Sequence, residues 1–156
     1  MWIYVLIIVI LLVAGAIGWK LLRSRDNGIQ TKMISVNDIE DVHHQISSQA
    51  VETSFAVFVF TPTRNGEAPL EVQFSIEKGV TGLDWILMSE PNKREKSRVI
   101  QFALDKGFEW QECEMNDWVY LRTEQGDLVG LCTALINDLY AAEAVLIKYG
   151  GFKLKG

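Results

Sequence analysis

Histidine and cysteine are both scarce: His43 and His44 are the only residues of the first kind, Cys113 and Cys132 the only ones of the second. Neighbouring histidines on a helix point in different directions, so they cannot close on one metal ion as an i,i+4 pair does. No His-Glu-x-x-His and no Cys-x-x-Cys supplies further ligands. Two isolated cysteines make no disulfide framework, and a domain with this many large apolar residues needs none; both read as buried thiols of a reducing compartment. Glycine-rich phosphate loops and the Gly-x-Ser-x-Gly elbow are missing too. On these grounds no residue is assigned to catalysis, to a cofactor or to a metal.

Repeats, low-complexity tracts and proline-rich spacers are also missing, which excludes solenoids and long stiff linkers. Acidic residues are absent from the first 25 positions, and the first basic one is Lys20. Beyond Lys20, Arg23 and Arg25, the remaining 12 Lys and Arg stand against all 20 Asp and Glu, a formal charge of −8 over residues 26–156. Nucleic-acid binders carry a basic face, so an acidic domain of this size excludes that class of partner.

What is present begins with an apolar run. From Trp2 to Leu22 the only charge is Lys20, and about 20 apolar residues at ~1.5 Å each cover a hydrocarbon core of roughly 30 Å. Trp2 and Tyr4 mark one interface and Trp19 the other. Ala14-Gly15-Ala16 has the form of a signal-peptide cleavage site, but no Lys or Arg precedes the run, and an uncleaved anchor is the preferred reading. The basic cluster after the run places the N-terminus outside and the rest in the cytoplasm. Ala14 and Gly18 form a small-xxx-small pair suited to a weak homodimer. The chain therefore divides into a single-pass transmembrane anchor (1–22), a short linker (23–32) and a soluble domain (33–156).

The domain reads as α+β, a small and largely antiparallel sheet packed with two or three helices. Asn37 with Glu40 has the form of a capping box, and Ile39, Val42, His43 and Ile46 share one face of a helix over 38–49. Phe55–Phe60 is a strand apolar on both faces, and Leu70–Glu77 alternates apolar with polar. Leu83–Met88 is a third strand. Asn92 and Glu95 repeat the capping form ahead of a helix carrying Val99, Ile100, Phe102, Ala103 and Leu104 and ending at Lys106-Gly107. Phe108–Met115 and Trp118–Thr123 form a hairpin around Asn116-Asp117. Asp127 caps a last helix with Leu128, Leu131, Cys132, Leu135 and Leu139 inward, and Val145–Ile147 is a final edge strand.

His43 lies on the apolar face of its helix and reads as a boundary residue, His44 as a surface residue one turn from Glu40. Cys113 stands between Glu112 and Glu114, carboxylates that oppose a thiolate nucleophile. The basic run Lys93–Arg98 reads as a solvated first helical turn ahead of a contact with anionic lipid. The hairpin is more informative. Trp110 and Trp118 accompany Glu112, Glu114 and Asp117, and aromatic side chains on a rigid element are the usual anchors of protein interfaces. The expectation is a membrane-anchored protein-binding module, an adaptor, regulator or neutralising partner of another protein, which meets a basic protein through those five residues. A membrane-tethered enzyme with Asp84, His44 and Glu114 brought together by the fold is the alternative.

Overall fold

The computed structural model describes residues 28–49, 51–63 and 68–154. The apolar run 2–22, the Ala14 and Gly18 pair and the basic cluster lie outside those residues. Among the described residues no helix is long and apolar enough to cross a membrane.

The chain folds as α+β in the order β1 (Gln30–Ser35), a 3-10 turn (Val36–Asp38), α1 (Ile39–Gln49), β2 (Phe55–Phe60), β3 (Leu70–Glu77), β4 (Val80–Ile86), α2 (Glu90–Asp105), β5 (Gln111–Met115), β6 (Trp118–Thr123), α3 (Leu128–Ala134) and β7 (Ala144–Gly150). A π-helical turn, Leu135–Leu139, continues α3. All seven strands join one antiparallel sheet in the order β1-β7-β2-β3-β4-β6-β5.

Alternation of side chains along each strand gives the sheet two unlike faces. Ala56, Phe58, Val72, Phe74, Leu83, Trp85, Leu121, Val145 and Ile147 share one face, and with Ile39, Val42, Ile46, Val99, Ala103, Leu131 and Leu135 of the helices they form a single buried core. Each large side chain so buried contributes about 1.5–3 kcal/mol. The helices thus cover one side of the sheet. Residues one position out of phase, among them Val57, Val59, Ser75, Asp84, Tyr120 and Arg122, occupy the other side, which is helix-free among the described residues.

Several boundaries differ from those expected. β1 begins at Gln30, inside the stretch read as linker, because only Ile34 of its residues is buried and the strand carries no apolar alternation to betray it. It pairs with β7, which therefore lies between β1 and β2 and is an inner strand, not an edge. The cap of the first helical segment is Ser35, not Asn37: Ser35 N donates to Asp38 Oδ2 at 2.8 Å and Asn37 N to Ser35 Oγ at 3.3 Å. Ser89, not Asn92, caps α2.

Asn92 is taken by the sheet instead. Its Nδ2 donates to Glu71 O at 2.6 Å, its Oδ1 accepts from Glu71 N at 3.0 Å, and its own carbonyl accepts from Trp85 Nε1 at 3.1 Å. One amide side chain thereby completes a strand pairing at the start of β3 and fixes the start of α2. The end of α2 follows expectation, with Gly107 at φ +83 just past Lys106, but Leu104 is exposed.

Candidate functional site

The β5–β6 hairpin turns tightly on Asn116 and Asp117, both at positive φ (52 and 67), the backbone of a two-residue type I′ turn. Across it Met115 pairs with Trp118, Cys113 with Tyr120 and Gln111 with Arg122. These six side chains share the helix-free side. Glu112 and Glu114 point to the other side, where Glu112 is bridged by Lys96 of α2.

The five residues singled out in the sequence thus fall into two groups. Trp110, just ahead of β5, packs on the hydrophobic core, and its Nε1 is buried without a hydrogen-bond partner. Trp118 is 54% exposed, beside Met115 at 51%. Glu114 and Asp117 are exposed near the turn. The two indoles are therefore not one contact surface.

β5 is also an edge strand. The tip Met115–Trp118 lies at one end of the sheet, with the ends of β1, β2 and β4. The opposite end holds the first residue of β1, the end of β7, the β3–β4 turn and the start of β5.

The chain matches no family model, no curated protein and no solved structure.

Along the hairpin toward that opposite end, the helix-free side becomes polar. Arg122 Nη1 donates to Asp84 Oδ1 at 2.8 Å and to Ser75 Oγ at 2.7 Å, Nη2 to Val80 O at 3.0 Å and Nε to Glu124 Oε1 at 2.6 Å. Ser75 Oγ and Gln73 Nε2 donate to the second Asp84 oxygen at 2.6 and 3.0 Å. Tyr120 donates to Glu77 Oε1 at 2.8 Å. Burial pushes the Asp84 carboxyl above its ordinary range, against the pull of Arg122, Ser75 and Gln73. Burial works against the charge on Arg122, but Asp84, Glu124 and Glu77 outweigh it and hold the guanidinium protonated. Both carboxylate oxygens of Asp84 accept hydrogen bonds from within the protein, which gives the cluster the character of a structural brace.

A cleft of about 850 Å³ opens beside this brace, between the β3–β4 turn, the end of α2 and the segment Thr123–Gly126. Cys113 stands on its wall, and burial together with Glu77 raises its thiol pKa; a group so shifted is a poor nucleophile. Cys132 is buried in the core, and both thiols are free.

The residues of the enzyme alternative are not brought together. Asp84 is locked on the helix-free side, whereas His44 lies in a shallow groove of about 560 Å³ between α1 and α3. Glu114 is on the distal hairpin. In that groove His43 packs edge-on against Phe74, with ring centroids 4.8 Å apart. Among the described residues no group of three or more His, Cys, Asp or Glu is placed to hold a metal ion. Three of the four cations in the run Lys93–Arg98 are paired, Lys93 with Glu90, Lys96 with Glu112 and Arg98 with Glu95, and Arg94 is exposed.

Sequence reasoning missed the separation of Trp110 from Trp118. Parity was the available signal: a two-residue turn that pairs Met115 with Trp118 puts both on one face and leaves position 110 on the other.

Proposed function

We propose that this protein is a membrane-anchored, cytoplasmic protein-binding module whose contact is the tip of the β5–β6 hairpin. One observation carries the reading: Met115 and Trp118, directly opposed across a rigid two-residue hairpin, each leave more than half of their surface in water. A pair of large apolar side chains held by a tight turn loses little conformational freedom on docking, which is the property of an interface anchor.

The chemistry around the pair supports a basic protein as the partner. Asp117 in the turn and Glu114 on the opposite face of β5 are exposed in the same hairpin, and the domain as a whole is acidic. A negative rim speeds the encounter with a basic protein, and the desolvated indole then retains it. Trp110 and Glu112 contribute indirectly, by joining β5 to the core and to α2. The run 2–22 supplies the anchor and Lys20, Arg23 and Arg25 the orientation.

A crosslinked pull-down of the full-length protein from its own membranes tests this function. Wild type captures a basic protein and Trp118→Ser does not, while Trp118→Ser remains folded because the side chain is exposed. Equal capture by both would remove the hairpin tip as the contact.

A further inference from the structure

We infer that the free edge of β5 takes up an extended segment of the partner protein as an additional antiparallel strand, with Lys or Arg opposite Glu112 and Glu114 and an apolar residue opposite Met115. The inference rests on the hairpin reading above and names how the partner's chain meets that hairpin.

β5 ends the sheet, and no strand lies beyond it among the described residues. The two-residue turn closes on Met115 and Trp118, which makes that pair hydrogen-bonded. The alternation of an antiparallel ladder then bonds Cys113 to Tyr120 and Gln111 to Arg122. The backbone N–H and C=O groups of Glu112 and Glu114 therefore point outward, and no hydrogen bond among the described residues engages them. An unpaired edge of this kind is a template for another strand, and main-chain bonding to it is a recurring mode of peptide capture.

Side chains decide which strand the edge accepts. From Gly107 to Leu121 the chain holds Glu109, Glu112, Glu114 and Asp117 and no Lys or Arg. Lys96 bridges Glu112, whereas Glu114 joins no ion pair among the described residues. Two copies of β5 match poorly: antiparallel registers centred on Glu112, Cys113 or Glu114 each set glutamate against glutamate, and like charges directly opposed destabilise a pairing. Lys or Arg at those positions turns the repulsion into attraction. The other edge of the sheet, β1, carries Lys32 and no carboxylate, so a basic segment is drawn to β5.

Parity sets the rest of the motif. Partner residues opposite Glu112 and Glu114 share the side of those carboxylates, while residues opposite Cys113 and Met115 lie on the helix-free side. The residue opposite Met115 covers an apolar side chain that is 51% exposed, with Trp118 behind it on β6. Further along, the partner's side chains pass Cys113 and Gln111, which line the cleft of about 850 Å³. Read from the tip, the segment is apolar, basic, any residue, basic.

The test uses full-length protein in nanodiscs of phosphatidylcholine, a zwitterionic lipid, with empty discs as background. The probe is a fluorescent, end-blocked peptide, Thr-Leu-Lys-Val-Lys-Leu-Thr, whose binding is read by anisotropy. In antiparallel pairing both lysines exchange backbone bonds with Glu112 and Glu114, and the central valine N–H points away. N-methylation of the two lysines is expected to weaken binding by about tenfold or more, and N-methylation of the valine to leave it unchanged. Glu114→Pro removes one outward N–H and leaves the β5–β6 ladder intact, as proline does on an edge strand. It is expected to abolish binding, whereas Glu114→Gln retains it with weaker affinity and a smaller salt dependence. No binding by wild type, equal effects of the two methylations, or full binding by Glu114→Pro overturns the inference. If that occurs while capture from membranes still depends on Trp118, the edge is excluded and the tip reading stands. Capture that survives Trp118→Ser removes the tip reading, and the inference with it.

Discussion

Arg122 and Asp84 form an ion pair of 2.8 Å on the helix-free side of the sheet, and neither side chain has more than 4% of its surface in water. Such a pair is worth little net energy against apolar replacements, but removing one partner strands the other charge. Asp84→Ala is therefore expected to lose about 3–5 kcal/mol in urea unfolding, whereas Glu90→Ala, which breaks an exposed pair, is expected to leave the unfolding midpoint close to that of wild type. Equal effects would show that water reaches the brace.

The guanidinium of Arg122 lies directly over Gly82, where an added Cβ would stand 2.4 Å from Cζ. Gly82→Ala must displace Arg122 from its partners, at a cost of about 1–3 kcal/mol. Because the clash is with one side chain, the cost is expected to fall toward zero in an Arg122→Leu background, a coupling that a double-mutant cycle of unfolding energies measures. An undiminished penalty would place the strain in the backbone.

Burial, with a smaller contribution from His44, lowers the pKa of His43 below 6.5, against the pull of Asp127. The unfolded chain therefore binds a proton more readily than the folded one. The stability carried by neutral His43 is complete above pH ~6.5 and is lost as pH falls through the folded-state pKa. The melting temperature should decline on acidification through this window, and the decline should be shallower in His43→Asn, which has no titrating group. Parallel curves for the two proteins would assign the titration elsewhere.

Much of the fold is legible in the residues. Alternation in Leu70–Glu77 predicts its core face, though the opposite face, expected open to water, is half-buried with Ser75 buried; Asp127 predicts the cap of α3, and Asn116-Asp117 predicts the hairpin turn. These are local signals, set by side-chain period and by caps. β1 is illegible because its stability comes from pairing with β7, more than 100 residues away, and not from apolar side chains of its own. The Arg122 brace is illegible for a related reason: Ser75, Asp84 and Arg122 come from three strands and meet only through register. At the hairpin, composition marks Trp110 and Trp118 alike, and only the pairing of Met115 with Trp118 separates a core indole from an exposed one.

Lys20, Arg23 and Arg25 lead to a topological expectation. A reporter that matures only in the cytoplasm is expected to be active when fused after Gly156, and one that works only after export to be silent. The reverse pattern would put the domain on the other side of the membrane.

The most direct test of the binding account is the dissociation rate of the captured partner from full-length wild type and from Trp118→Ala. An anchor residue supplies on the order of 2 kcal/mol or more, so dissociation should accelerate by roughly 30-fold or more. Neutralising Glu114 and Asp117 should instead slow association and weaken its salt dependence, with dissociation nearly unchanged. A dissociation rate unaltered by Trp118→Ala, in a protein that still unfolds like wild type, would contradict the claim that the hairpin tip is the contact.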